Sequence, residues 1–274
     1  MNPYTHICSK VAEFNYLFGV IDYSYPNTED IDISIGKFDS FSDKFNESQV
    51  KLRFGLINEE VKELEQAFKD KNPIEIVDAM CDILYVVAGA KVYFNLPIND
   101  DTEYYTRMCH HLNYHFTYTE DTSKSIINNL KDDEIIDLLE NDGIVSLNDM
   151  LGNLTDLIIN KQGIKFHKLF LNHLIKFYNK TLDNIVIKIF EMANGFSIDI
   201  IHLFDIVHAS NMTKVCENKK DAVSTVQWYK INELRYKDPN YRKINYNDKD
   251  YYVIYDAETK KILKSIKYTP AKFI

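Results

Sequence analysis

Two neighbouring stretches of this sequence decide its fold: LRFGLINEEVKELEQA at 52–67 and IEIVDAMCDILYVVAGA at 74–90. In the first, good helix formers separate apolar residues that recur on one helical stripe, at positions 52, 56, 57, 61, 64 and 68. The second follows Asn72-Pro73, and proline suits the first turn of a helix because its missing N–H is not needed there. The two stretches therefore predict a pair of helices that pack antiparallel across a short turn.

The rest of the chain also has mainly helical periodicity. Apolar spacing predicts helices over 10–20, 49–69, 74–95, 125–140, 147–160, 164–194, 199–214 and 221–231. Three runs rich in Tyr, Val and Ile follow and predict a small antiparallel sheet, with strands over 241–246, 251–255 and 261–266. We therefore expect a mostly α protein, an antiparallel helical bundle with a small C-terminal antiparallel β-sheet. The predicted domains are a helical domain over 1–216 and a small α+β extension over 217–274.

Composition and charge exclude several classes of function. The 274 residues include 32 Lys and Arg against 41 Asp and Glu, and the resulting net charge of −9 argues against a general grip on nucleic acid. The longest apolar run, Ile83 to Ala90, is too short to span a bilayer, and the N-terminus lacks an apolar signal core. Four cysteines lie far apart with no C-x-x-C pair, so no zinc knuckle or disulfide framework is predicted. We expect a cytoplasmic protein that contacts neither nucleic acid nor membrane.

Acidic side chains gather on both central helices. In the first, Glu59, Glu60 and Glu63 project within a sector of about 100°. In the second, the spacing i, i+3, i+7 aligns three more on one face, Glu75, Asp78 and Asp82. Across an antiparallel pair these two stripes can meet, and clustered like charges destabilise a fold unless a cation lies between them.

A divalent cation is the economical neutralising partner for these acids. Mg²⁺ prefers carboxylate oxygens, as does Mn²⁺, and bound phosphates complete the coordination. The alternative is that the acids are solvated or paired with Lys and Arg side chains nearby. Asp78 and Asp82 favour the metal site, because they interrupt a run that is otherwise apolar.

The motif L-R-x-x-L-I-x-E-E-x-x-E-L-x-x-A at 52–67, followed by E-I-V-D-A-M-C-D-I-L-Y-V-V-A-G at 75–89, resembles the MazG-like all-α nucleoside triphosphate pyrophosphohydrolases. Further segments are similar to the same family: V-A-E-F with F-G at 11–19, H-A-S-N-M-T-K at 208–214 and K-I-L-K-S-I-K-Y-T-P-A at 261–271. The separated motifs occur in the right order. Members with the H-x-S-N-M-S/T-K element are often phage or viral proteins.

The resemblance implies Mg²⁺-dependent hydrolysis of an NTP or dNTP between the α and β phosphates, giving the monophosphate and pyrophosphate and so controlling a nucleotide pool. It also implies a homodimer or a dimer of dimers. Carried over to this sequence, the metal-binding acids are Glu59, Glu60, Glu63 and Asp82, and Asp78 matches the Asp that precedes the frequent family Glu. Of these, we expect Glu59 or Glu60 to take the proton of the attacking water.

The chain departs from the family at one position. Many members read D-E-x-x-D where this chain has Asp78-Ala79-Met80-Cys81-Asp82, so Ala79 cannot be a ligand and Asp78 or Glu75 must supply that carboxylate. For the substrate, Asn211 is expected to donate hydrogen bonds and Lys214 to place a charge on phosphate. Weaker candidates for phosphate or base contacts are Arg53, Lys264 and Tyr268.

Residues 97–195 are predicted to form a long segment of extra helices, which is interpreted as a degenerate second copy of the central helix pair. Residues 153–157 align with 60–64, and 183–190 with 78–85, but Asn153 and Ile187 then replace Glu60 and Asp82. The hypothesis predicts a pseudo-twofold bundle within one chain, and chance similarity between amphipathic helices is the alternative. Two further interpretations of the whole chain stay open: a nucleotide-binding regulatory protein that has lost catalysis, and a helical scaffold with solvated acids.

Overall fold

The computed structural model describes residues 3–20, 47–98, 140–159, 168–259 and 261–273. Within these ranges it has the helices α1 Pro3–Leu17, α2 Glu47–Lys69, α3 Pro73–Phe94, α4 Val145–Ile159, α5 Lys168–Gly195, α6 Ile200–Met212 and α7 Lys219–Asn232. A π-helical turn, Glu140–Ile144, precedes α4, and the strands are β1 Pro239–Tyr246 and β2 Lys249–Asp256. The expected mostly α fold with a small C-terminal antiparallel sheet is confirmed. The helix predicted at 125–140 lies outside the described residues, apart from its last position.

The chain divides into two compact units. Unit 1 comprises Met1–Ser9, Ile31–Phe204 and Phe273–Ile274, and unit 2 comprises Lys10–Asp30 and Asp205–Lys272. The predicted boundary at residue 216 lies inside unit 2, because a hydrophobic cluster unites the end of α1 with the chain after α6 and with β2: Leu17, Phe18, Val215 and Val253. None of the described helices has the length and apolarity needed to cross a membrane.

Four helices of unit 1 pack around a shared core. α2 packs on α3, α3 on α5, α5 on α4 and α4 on α2, so the contacts close into a ring. α3 is the most buried helix of the four, as its apolar run predicts. Large side chains from α2 and α5 and the turn after α5 join it in the core, including Phe68, Tyr178 and Phe196.

The α2–α3 turn has the capping chemistry that the sequence predicts. The Asn72 side chain accepts hydrogen bonds from the backbone N–H groups of Ile74 and Glu75, at 3.2 and 3.4 Å, and Pro73 occupies the first turn of α3. At the other end, Asn95 ends α3 in the left-handed region, with a φ of 51°. These caps fix where α3 starts and ends, and therefore where its acids lie along the chain.

The contacts of the two helical hairpins bear on the predicted repeat. Helix α4 contacts α2, and α5 contacts α3. The two hairpins are α2–α3 and α4–α5. A two-fold axis between them would bring their first helices into contact, and likewise their second helices, as observed. The repeat itself stays a prediction.

A buried ion pair joins α3 to α5. The ammonium of Lys91 contacts the carboxylate of Asp183, and their side chains are 1% and 9% exposed. The same ammonium donates a 2.8 Å hydrogen bond to the carbonyl of Pro97 and lies 5.4 Å from the centre of the Tyr4 ring. Burial lowers the pKa of Lys91 and raises the pKa of Asp183, while the attraction within the pair opposes both shifts.

In unit 2, helix α7 packs on a two-stranded hairpin in which Pro239 pairs with Asp256 and Tyr246 with Lys249. The third predicted strand, 261–266, is wrong: Ile262 makes only an isolated bridge with Tyr255. The reason is that backbone donors beyond it turn to α7. The N–H of Lys264 donates to the Tyr229 hydroxyl at 3.1 Å, and that of Ile266 to the Thr225 hydroxyl at 3.2 Å.

Helix α1 begins at Pro3, seven residues before the predicted start, because Tyr4, Ile7, Cys8 and Val11 add two buried turns. It ends as predicted near Gly19, which adopts a φ of +57°. Next to this turn, the guanidinium of Arg242 donates hydrogen bonds to the carbonyls of Phe18 and Gly19. Strand β1 thus holds the end of α1 within unit 2.

The Gly19→Ala variant should be less stable by about 1–2 kcal/mol, because alanine is strained at this φ and its Cβ would lie 3.2 Å from Nη2 of Arg242. Gly55→Ala is the matched control, since Gly55 lies inside α2, where an added methyl group would meet open space, and this change should stabilise the chain by about 0.5–1 kcal/mol. Urea denaturation measures both. Equal effects of the two changes would contradict the assignment.

The Asp183→Asn variant should lose about 3–5 kcal/mol of unfolding free energy, because it leaves the Lys91 ammonium buried without its carboxylate. The double variant Lys91→Met with Asp183→Leu removes both charges and should recover most of this loss. Chemical denaturation of the three proteins tests the pair. If the unfolding free energy of Asp183→Asn lies within about 1 kcal/mol of the parent value, the ion pair is not a structural requirement.

Candidate functional site

The acids of α3 lie on the narrow line of that helix that reaches solvent. Between Ile76 and Lys91, the half-exposed residues are Asp78, Asp82 and Val86, each four positions from the next, and every other residue is buried. Glu75, in the first turn, is exposed and continues the same line. Ala79 faces the buried side, so Asp78 is the acid beside Asp82 on the accessible line.

A contact between α2 and α3 shows which faces of the two helices meet. The guanidinium carbon of Arg53 lies 4.3 Å from the centre of the Tyr93 ring. Glu60 follows Arg53 by seven residues and lies within about 20° of it around α2, and Tyr93 follows Asp82 by eleven and lies within about 20° of it around α3. Helix geometry therefore directs Glu60 toward the line that holds Asp82.

The acids of α2 differ in their exposure. Glu60 is half-buried beside the apolar face, whereas Glu59 and Glu63 are exposed. Glu59 lies about 100° around the helix from Glu60, on the side away from the core. Of the two residues predicted to accept a proton, Glu60 is the one beside the α2–α3 interface.

The described residues hold no group of three or more His, Cys, Asp or Glu side chains that could bind one metal ion as they stand. Asp78 and Asp82 nevertheless lie close enough to Cys81 to influence it. Burial raises the pKa of the Cys81 thiol, and the negative charges of Asp82 and Asp78 raise it further. A buried thiol that keeps its proton is a poor metal ligand, so any cation here would depend on carboxylate oxygens.

The other predicted substrate-binding residues belong to unit 2, at the end of α6 and in the tail after β2. Asn211 is buried and Lys214 half-exposed. Lys264 Nζ lies 4.4 Å from the centre of the Tyr268 ring, and the Tyr268 hydroxyl forms a 3.1 Å hydrogen bond with the Ser210 hydroxyl. The structure thus brings Lys264 and Tyr268 together on the tail, while Arg53 lies in unit 1 on α2.

Ser210 and Thr213, which the sequence motifs did not single out, anchor this tail. The Ser210 hydroxyl donates to the carbonyl of Thr269 at 2.8 Å, and the Thr213 hydroxyl accepts from the N–H of Thr269 at 2.9 Å. The Ser265 hydroxyl donates to the carbonyl of Thr213 at 3.0 Å. Their spacing inside the 208–214 motif was the available signal, since hydroxyls three residues apart share one helical face.

His208 belongs to a polar cluster in unit 2. Its Nε2 lies 3.5 Å from Oε2 of Glu13, and the Tyr246 hydroxyl donates to Oε1 of Glu13 at 3.2 Å. The hydrogen bond with His208 lowers the pKa of Glu13. Burial and the Glu13 charge raise the pKa of Tyr246 to about 12. The cluster joins α1, α6 and β1, which fits a structural role for His208.

Comparison with known proteins adds two similarities. Residues 37–104 match the family model described as phosphoribosyl-ATP pyrophosphohydrolase, a segment that contains the acids of α2 and α3. An uncharacterized protein of Acanthamoeba polyphaga mimivirus is 31% identical over 228 residues, which cover 80% of this chain and 80% of that protein. No solved structure matches the chain significantly.

The Glu13→Gln variant should unfold about 1 kcal/mol more easily at neutral pH, because it loses the charged partner of His208 and Tyr246. The folded pKa of Glu13 lies below its ordinary value of 4.5, so its contribution is complete above that value and is lost as the pH falls through the folded pKa. The stability difference should therefore shrink in acid. Urea titrations at neutral and acidic pH measure it, and a difference that does not change with pH would refute the assignment.

Proposed function

We propose a function for this chain from the family of its matched domain. The domain at residues 37–104 belongs to the MazG-like all-α NTP pyrophosphohydrolase superfamily. The family supports hydrolysis of a pyrophosphate bond in a nucleotide. In our proposal the substrate is a nucleoside or deoxynucleoside triphosphate. The chain cleaves it between the α and β phosphates and releases the monophosphate and pyrophosphate, which removes that nucleotide from a pool.

One observation carries this proposal: acids occupy the accessible line of an otherwise buried helix, and Glu60 of α2 is directed toward it. Charges cost free energy beside a core, so a structural role alone would favour apolar or neutral side chains there. Carboxylates on two packed helices can hold a cation, and with it a triphosphate, at the helix interface.

The donor chemistry fits Mg²⁺, which prefers carboxylate oxygens. In our proposal Glu60, Glu63, Asp78 and Asp82 hold it, and Mn²⁺ is an acceptable replacement. A bound cation would offset the repulsion between these like charges. When bound, the ion would neutralise phosphate charge and lower the pKa of the attacking water.

The chain's own residues then have separate roles. Glu60, half-buried at the interface, accepts the proton of the water, while Asp78 and Asp82 fix the position of the phosphates from α3. Glu59 and Glu75 are exposed and stay predicted metal ligands. Asn211, Lys214, Lys264 and Tyr268 remain proposed contacts to the substrate. A homodimer or dimer of dimers also remains a proposal.

Incubation with NTPs and dNTPs plus Mg²⁺ should release pyrophosphate, and the Asp82→Asn and Glu63→Gln variants should lose at least about two orders of magnitude in rate. Glu65→Ala is the matched control: Glu65 lies on the same helix but pairs with Lys69 at the surface, so its loss should leave the rate unchanged. Pyrophosphate is measured by a coupled assay.

Two outcomes would contradict the proposal. Nucleotide binding without any release would favour the regulatory protein that has lost catalysis. Absence of both release and any Mg²⁺-dependent change in the melting temperature would favour the scaffold with solvated acids.

A further inference from the structure

At the start of α2, the observed burial is the opposite of what the sequence predicts. Leu52, assigned to the apolar stripe, is 48% exposed, while the neighbouring Arg53 is only 8% exposed. An arginine rarely takes a core position in place of an adjacent leucine, because desolvation of the guanidinium is costly. Burial accordingly lowers the pKa of Arg53, although its charge persists at physiological pH.

Arg53 keeps an unsatisfied donor in the part of the chain that the structure describes. Its Nε is buried without a hydrogen bond, and the guanidinium lies against the face of Tyr93. Stacking on an aromatic ring accounts for part of the desolvation cost but leaves this Nε–H donor unsatisfied. A buried donor without an acceptor points to an acceptor that arrives with a ligand.

The surroundings of Arg53 suit a flat ring better than a phosphate. Tyr93 lies against the guanidinium, Tyr178 is close enough to raise its pKa, and Phe94 meets the Tyr178 ring edge to face at 5.9 Å between centres. Lys91, a cation on α3, already contacts Asp183 and donates a hydrogen bond to the Pro97 carbonyl. One guanidinium among aromatic rings offers little to a multiply charged phosphate, which needs several cations or water.

Arg53 also lies at a suitable distance from the acids. It precedes Glu60 by two helical turns, about 10 Å along α2, on nearly the same face. Tyr93 follows Asp82 by about 16 Å along α3, again on nearly the same face. If the scissile phosphates are held at Glu60 and Asp82, the sugar and base of the same nucleotide extend along the interface, and Arg53 lies toward the base end.

We propose that Arg53, seated on Tyr93, is the base-recognition residue of this chain, and that it selects nucleotides whose base presents a carbonyl oxygen. This inference rests on the proposed function, since it takes the phosphates to lie at the acids. A guanidinium only donates hydrogen bonds, so it matches the carbonyl of guanine, cytosine, thymine or uracil. Adenine has no carbonyl and presents an amino group beside its ring nitrogens, which sets donor against donor.

The test compares four deoxynucleoside triphosphates, dGTP, dCTP, dTTP and dATP, as substrates of the full chain. We expect kcat/KM for dATP to be at least about tenfold below that of the best of the other three. Arg53→Met should reduce kcat/KM for the favoured substrate by at least about tenfold and leave kcat/KM for dATP nearly unchanged. Lys62→Met is the matched control, because it removes one positive charge from the exposed side of the same helix and should change none of the four.

The possible results separate this inference from the proposed function. If dATP is among the best substrates, or if Arg53→Met lowers all four equally, Arg53 does not read the base and contacts a shared phosphate or only supports the fold. If no nucleotide is hydrolysed, the proposed function fails, and calorimetric binding of the same four nucleotides decides whether the base preference exists. Should Arg53→Met fail to fold, Arg53→Lys, which keeps the charge but loses the planar fork of donors, should show the same selective loss, and an unchanged base preference in it would overturn the proposal.

Discussion

Helix α3 runs through the interior of unit 1, and a buried helix tolerates charge only where it is paired, as Lys91 is with Asp183, or where part of the helix surface reaches solvent. On α3 that part is one line of residues, in which Glu75, Asp78 and Asp82 precede Val86. The packing of α2 covers the helix beside this line and directs Glu60 toward it. Fold and proposed chemistry therefore depend on one constraint: the core leaves one half-exposed strip of α3 between Ile76 and Lys91, and two of its three residues are acids.

The position of α3 is fixed by interactions at both ends and along its length. Asn72 caps its start, Asn95 ends it, and Lys91 joins it to α5 through Asp183. In the predicted repeat, Asp183 aligns with Asp78. The first copy would then hold its acid on the half-exposed line of α3, while in the second copy a lysine of the chain itself neutralises the acid.

Local rules predicted much of this fold and some of its candidate site. The helices at 49–69 and 74–95 have strong periodicity and a clear cap between them, and their observed bounds differ by two residues or fewer. Interactions between residues distant in sequence could not be predicted. Nothing near Lys91 identifies Asp183 as its partner, and nothing near 261–266 shows that hydroxyls of α7 replace a strand partner. Arg53 was a candidate from the sequence, but its burial was not predicted, because the adjacent Leu52 fits the apolar stripe better. The site's acids were predicted by composition and spacing, but exposure separates Glu60 from Glu59.

The most direct test of the central claim is a crystal structure of the chain soaked with Mn²⁺, with the ion located by its anomalous scattering. A peak is expected at the α2–α3 interface, with oxygens of Glu60 or Glu63 and of Asp78 or Asp82 at about 2.0–2.2 Å. A peak held by one helix alone, or none at a saturating concentration, would show that the two acidic stripes do not form one site.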